Sequence, residues 1–266
     1  MRVNLFAKKV LIVALLAGIV ALAGCGNKEE ARKAAEAAKY KGWQYFTYGD
    51  VKIFHPPNHP LQPQFESLAQ SYMRDMDEIS RILGMETPKD TLIVYYYTGY
   101  GQGREMTGHE YPYYQDGIIY FWQPSFLGPT LVDRMLPYWV KGEPKYTFLK
   151  HGLRALFDYS GQNYHRTTLS YLSDTLFIPL GKLVSDTAIN SNTERYQTAE
   201  AASFVAYILA NYGASRLKTM YQSSLPFGEM TDQLFHMSID SLQAAWLSFV
   251  RASVPPDTTS DSTLHK

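Results

Sequence analysis

Two rhythms of apolar and polar residues divide this chain near residue 125. In the first part "WQYFTY" and "VKIFH", rich in aromatic and β-branched residues, flank Gly49-Asp50 and predict a hairpin. "HPPNHP" follows, held extended by its prolines. From Pro63 to Leu83 the residues Phe65, Leu68, Ala69, Tyr72, Met76, Ile79 and Leu83 recur mostly at three and four, and Gly84 supplies a stop. That spacing predicts an amphipathic helix. "TLIVYYYTGY" and "DGIIYFWQ" read as further strands, the first apolar enough for mid-sheet. Gly99, Gly101 and Gly103 predict a mobile loop between them, and no regular element is expected in "MTGHEYPYYQ", which Pro112 interrupts.

From Pro129 onward the period is helical. "TLVDRMLPYW" is a short candidate helix interrupted by Pro137, and "TFLKHGLRALFDYSG" places Phe148, Leu149, Leu153, Leu156 and Phe157 on one side. "YQTAEAASFVAYILANYG" buries Ala199, Ala202, Val205, Ala206 and Leu209 and ends on Gly213. "SIDSLQAAWLSFVRAS" opens on Ser238 as N-cap and carries Leu242, Ala245, Trp246, Phe249 and Val250 on one stripe. The class is α+β, with a small sheet in the N-terminal half and a helical C-terminal half. One domain is expected over residues 43–254. The charged, Ala-rich segment 25–42 has no apolar stripe and reads as a tether, and the polar tail 255–266 is expected to be disordered.

The first 25 residues change the expected location. Arg2, Lys8 and Lys9 precede the apolar run "VLIVALLAGIVA", and "LAGC" closes it at Cys25. The run is shorter than the roughly 20 residues needed to cross a bilayer. "LAGC" resembles the lipobox of bacterial lipoproteins. That resemblance implies a signal peptide over residues 1–24, acyl chains such as palmitate on Cys25, and membrane anchoring without a spanning helix. The expected location is the cell envelope, on the periplasmic face of the outer membrane or at the cell surface. The leader holds three basic residues and no acidic ones, leaving 22 Lys and Arg against 25 Asp and Glu. This slightly acidic balance argues against a nucleic-acid partner. Cys25 is the only cysteine, so the chain can form neither an internal disulfide nor a cysteine zinc site.

Most candidate chemistry dissolves on spacing. His55 and His59 are four apart, but the prolines between them forbid the helix that would align them. His109-Glu110 begins like HExxH, yet Tyr113 stands where the second His belongs. The glycines at 99, 101 and 103 lack the spacing of a phosphate loop, and there is no GxSxG elbow. Asp158, Ser160 and His165 read as a helix end and a turn, and Glu143, Asp158, Glu194 and Glu200 as solvated or capping residues.

Three segments in order, "FLKHGLRALFDYSG", "YQTAEAASFVAYILANYG" and "SIDSLQAAWLSFV", resemble the C-terminal half of gluzincin zinc peptidases of the MA clan, in particular the peptidase-MA-like domains. The resemblance covers about residues 44–252 and implies a zincin-like fold. In that family an HExxH helix is followed by a second helix beginning (F/W)LxEGLA, whose Glu is the third zinc ligand. Laid on that pattern, His151 replaces the Glu. The HExxH positions fall about nineteen residues upstream, on Val132, Asp133 and Leu136, and no register of "SFLGPTLVDRMLPYW" contains a His. Such chemistry needs two imidazoles one turn apart, a carboxylate base, a third ligand and an open position for water. A bound zinc contributes on the order of 10 kcal/mol through three or four ligands, which one His and one Asp cannot replace. The resemblance therefore implies a pseudopeptidase with no catalytic residues, no metal and no cofactor, binding or scaffolding a peptide or protein. The alternative is a zinc-dependent peptidase with a rearranged site at His109, Asp133 and His151. Tyrosine is abundant, at 21 residues. His109, Tyr111, Tyr113 and Tyr114 are expected to border the cleft, where the family's substrate lies along the sheet edge; sheet packing is the other role open to these rings.

Overall fold

In a computed structural model the described residues are 38–123, 125–185 and 194–255. The leader, Cys25, most of the tether and the tail from 256 lie outside them. Chain contacts separate a small unit, of which 38–44 and 56–58 are described, from a main unit of 45–55 and 59 onward. In the small unit Tyr40 meets Trp43 edge to face at 5.1 Å.

The main unit is built on one mixed sheet of β1 (Gln44–Tyr48), β2 (Val51–His55), β3 (Leu92–Tyr96), β4 (Tyr113–Gln115) and β5 (Ile118–Phe121), ordered β1-β2-β3-β5-β4. β2, β3 and β5 run parallel, and β4 is antiparallel to β5. The predicted hairpin at Gly49-Asp50 joins β1 to β2. A second hairpin joins β4 to β5 through Asp116 and Gly117, both at positive φ (51° and 86°). Asp-Gly is the residue pair such a turn favours.

Alternation along each strand separates two faces. Val51, Ile53, Leu92, Val94, Tyr96, Ile119 and Phe121 enter the core, which they share with Ala69, Tyr72, Met76 and Ile79 of α1 (Phe65–Leu83), the helix packed on β2. On the other face the rings of Tyr45, Phe54, Tyr95, Tyr120, Tyr113 and His109 follow one another from strand to strand, with centroids 3.8–5.9 Å apart. Such cross-strand aromatic pairs stabilise a sheet.

The glycines after β3 do not make a loop. Tyr100–Thr107 is a helix, α2, and Gly103 is there for space: a Cβ on it would stand 2.4 Å from the Trp122 ring. The helical half comprises α3 (Gly128–Trp139), α4 (Thr147–Leu156), α5 (Tyr164–Ser173), α6 (Leu180–Leu183), α7 (Glu194–Gln222), α8 (Phe227–Phe235) and α9 (Ile239–Ser253). α7 passes the expected stop: Gly213, at φ 77°, breaks the helix, and the chain resumes it to Gln222. α4 lies directly on α7, because a Cβ on Gly152 would stand 2.5 Å from the carbonyl oxygen of Ala201. Ser238 caps α9 as expected, its hydroxyl accepting from the Ser241 N–H at 3.1 Å. Among the described residues no helix is long and apolar enough to cross a membrane.

Candidate functional site

α3 packs beneath the edge strand β4, and α4 packs beside α3. Two cavities open along this seam. The first, about 400 Å³, is lined by Tyr111 and Pro112 ahead of β4, by Ser125 and Phe126, by Pro129 and Thr130 at the start of α3, by His151, Arg154 and Ala155 on α4, and by Asp158 and Thr198. The second, about 480 Å³, lies further along β4, between Tyr114, the Asp133–Pro137 side of α3, Glu143, Lys150 and Tyr221. An ion pair joins the two helices between them. Arg154 Nε stands 3.5 Å from Asp133 Oδ2, with Arg154 bordering the first cavity and Asp133 the second.

The expected site residues divide between the faces of their elements. On α3, Asp133 and Leu136 border the second cavity, whereas Val132 is wholly buried in the core and borders neither. Pro129, Asp133 and Pro137, each one turn after the last, face the seam. His151 faces the first cavity. Burial, reinforced by the charges of Arg154 and Lys150, holds its imidazole below the ordinary value. Burial also pushes the Asp133 carboxyl up, against the opposing pull of Arg154 and Lys150.

Of the four residues expected at the cleft, Tyr111 and Tyr114 border cavities. His109 and Tyr113 do not: Tyr113 pairs with Tyr120 and stacks between it and His109 on the opposite face of the sheet. For these two rings the sheet-packing role holds, and between Tyr113 and Tyr114 the one-residue step along β4 is the cause. His109 therefore cannot join Asp133 and His151, and no three His, Cys, Asp or Glu side chains among the described residues are grouped to hold a metal ion.

Other candidates have structural roles. His59 is buried, its Nδ1 accepting from the Leu61 N–H at 3.1 Å and its Nε2 3.2 Å from the Tyr97 carbonyl. Asp158 accepts from the Ser160 N–H at 2.8 Å and from the Tyr164 hydroxyl, which makes the turn expected there. His165 turns away from Ser160 to Ser203, at 2.8 Å. Glu143 pairs with Lys150 at 2.8 Å, and the Glu194 side chain lies outside the described residues. Glu200 corrects the sequence reading. It is fully buried, its two oxygens 3.0 and 3.2 Å from the Ile178 N–H, and burial pushes its carboxyl up to about 8, that hydrogen bond pulling the other way.

Arg154, Phe126 and Lys150 were missed as site residues. Arg154 had a signal, since it lies three residues after His151 and so on the same helical face. Phe126, on a loop, had none. Comparison with known proteins found no matching family model, no matching curated protein and no matching solved structure.

Proposed function

We propose that this is a lipid-anchored envelope protein, tethered through Cys25, whose zincin-like domain keeps the cleft of a gluzincin and lacks its metal. It binds or scaffolds an extended peptide or protein segment instead of cleaving it. The observation that carries this reading is the seam beneath β4. The edge strand β4 there lies over α3, with α4 beside it, and of the positions where the resemblance expects zinc ligands Asp133, Leu136 and His151 border the cavities while Val132 is in the core, with no second imidazole lining either cavity. The Asp133–Arg154 pair spans the gap with opposite charges of its own. Edge strands accept extended peptides by adding a strand, and neighbouring cavities then receive alternate side chains.

Elemental analysis of native protein tests the loss of metal: well under one equivalent of zinc is expected, and one full equivalent would sink the proposal. Alanine at Tyr111 or Tyr114 should weaken binding of a peptide ligand, while alanine at Tyr113, on the far face, should not. Equal affinity for all three variants and the parent would remove the cleft from the account. Cys25→Ala should release the protein from membrane fractions; unchanged membrane association would remove the lipid anchor.

A further inference from the structure

Arg154 and His151 occupy one face of α4, both border the first cavity, and neither makes a hydrogen bond among the described residues. Arg154 is 32 % exposed, and its one ionic contact, Nε to Asp133 at 3.5 Å, is too long to count as a well-made hydrogen bond. Its Nε is buried without a hydrogen-bond partner, and a carboxylate accepting from two nitrogens at once is the partner a planar guanidinium fork fits best. The one acid lining this cavity, Asp158, makes no ion pair with Arg154 among the described residues; its oxygens accept from Ser160 and Tyr164. Around these polar groups stand Pro112, Pro129 and Ala155, with Tyr111 (73 % exposed) and Phe126 (52 % exposed) at the mouth. At about 400 Å³ the cavity lies toward the small end of ligand sites, roughly 300–1,000 Å³, with room for one large residue.

We propose that this cavity receives a carboxylate attached to a bulky apolar group, and that the cleft's ligand is a peptide held by its free C-terminus. This rests on the peptide-binding reading above and adds the ligand's end and direction. A strand added antiparallel to β4 runs from the Gln115 end toward Tyr113 and so finishes beside Tyr111 and Pro112, where the cavity opens. The terminal carboxylate then meets Arg154, with the His151 imidazole as a second donor. The terminal side chain lies between Tyr111 and Phe126.

Calorimetric titration of the intact protein with acetyl-Ala-Ala-Ala-Phe as free acid, the same peptide as its amide, and 3-phenylpropionate tests this. The acid should bind about tenfold or more tighter than the amide, as expected for hydrogen bonds to a charged group. 3-Phenylpropionate, which lacks the backbone, should bind more weakly than the peptide acid. Arg154→Met should bring the acid to the level of the amide and leave the amide unchanged, with a thermal melt to verify folding. The acid–amide comparison on the parent protein stands whether or not that variant folds. Equal binding of acid and amide overturns the carboxylate assignment and leaves the peptide cleft intact. Binding of neither peptide at millimolar concentration overturns both. 3-Phenylpropionate binding as tightly as the peptide acid overturns the C-terminus as the source of the carboxylate.

Discussion

Glu200 turns the packing of α7 into a measurable pH dependence. Its carboxyl is shifted from 4.5 to about 8, chiefly because burial disfavours the charged form. The folded state therefore holds this proton more tightly than the unfolded chain, and between those two values unfolding releases it. The contribution of Glu200 is complete below about pH 4.5, declines as pH rises and levels off above about 8. At about 1.4 kcal/mol per pKa unit, the ionisable group costs the fold ~3 kcal/mol at pH 7 and ~4 kcal/mol at pH 8, against ~1 kcal/mol at pH 5. Glu200→Gln keeps an oxygen for the Ile178 N–H and removes the ionisation. Urea unfolding of parent and variant at pH 5 and pH 8 should show the variant's advantage growing by ~3 kcal/mol over that interval. Taking the difference cancels titrations common to both proteins, including Asp75, which burial raises to about 6, and Asp133. An offset that stays constant from pH 5 to pH 8 would refute the reasoning, because Glu200 would then have the same proton affinity folded and unfolded.

Three further outcomes follow from packing and charge. Gly152→Ala should destabilise by about 1–3 kcal/mol in urea melts, since the new methyl meets the Ala201 carbonyl, which cannot swing aside as a side chain could; a neutral result would mean that α4 and α7 separate freely. Asp90→Ala strips the partner from Arg134, which is 1 % exposed and already has Nε and Nη1 without acceptors. A loss of about 2 kcal/mol is expected, at the low end for a buried pair because Asp90 is 53 % exposed, and a shift below ~0.5 kcal/mol would show that Arg134 finds other acceptors. Ser238→Ala removes the cap of α9 and should cost about 1 kcal/mol by the same assay, with Ser238→Gly losing less.

Local pattern and final structure part where one residue type serves two purposes. Gly103 read as flexibility, yet it marks the contact with Trp122 inside a helix. Asp116-Gly117 carried a hairpin signal as strong as Gly49-Asp50, but the short β4 before it, with Pro112 at its threshold, hides the strand. Gly213 read as a helix end because a positive φ serves a stop and a break equally well. Glu200 read as solvated because the carboxylate sits in a helix of mixed periodicity, and the segment that covers it lies 22 residues away.

What the sequence by itself determined is local: the Gly49-Asp50 hairpin, the amphipathic α1, the Ser238 cap, and the helical phase that puts Arg154 beside His151. Each depends on spacings of two to four residues, which the backbone imposes regardless of what packs against it. What only the tertiary structure decided is which faces meet. Asp133 finds Arg154 across 21 positions of chain, Tyr111 and Tyr114 border the seam while Tyr113 turns away, and Val132 sinks into the core where Pro129 faces the cavity. The pleat fixes that neighbours on a strand point oppositely, but only burial against α3 selects which of them faces in.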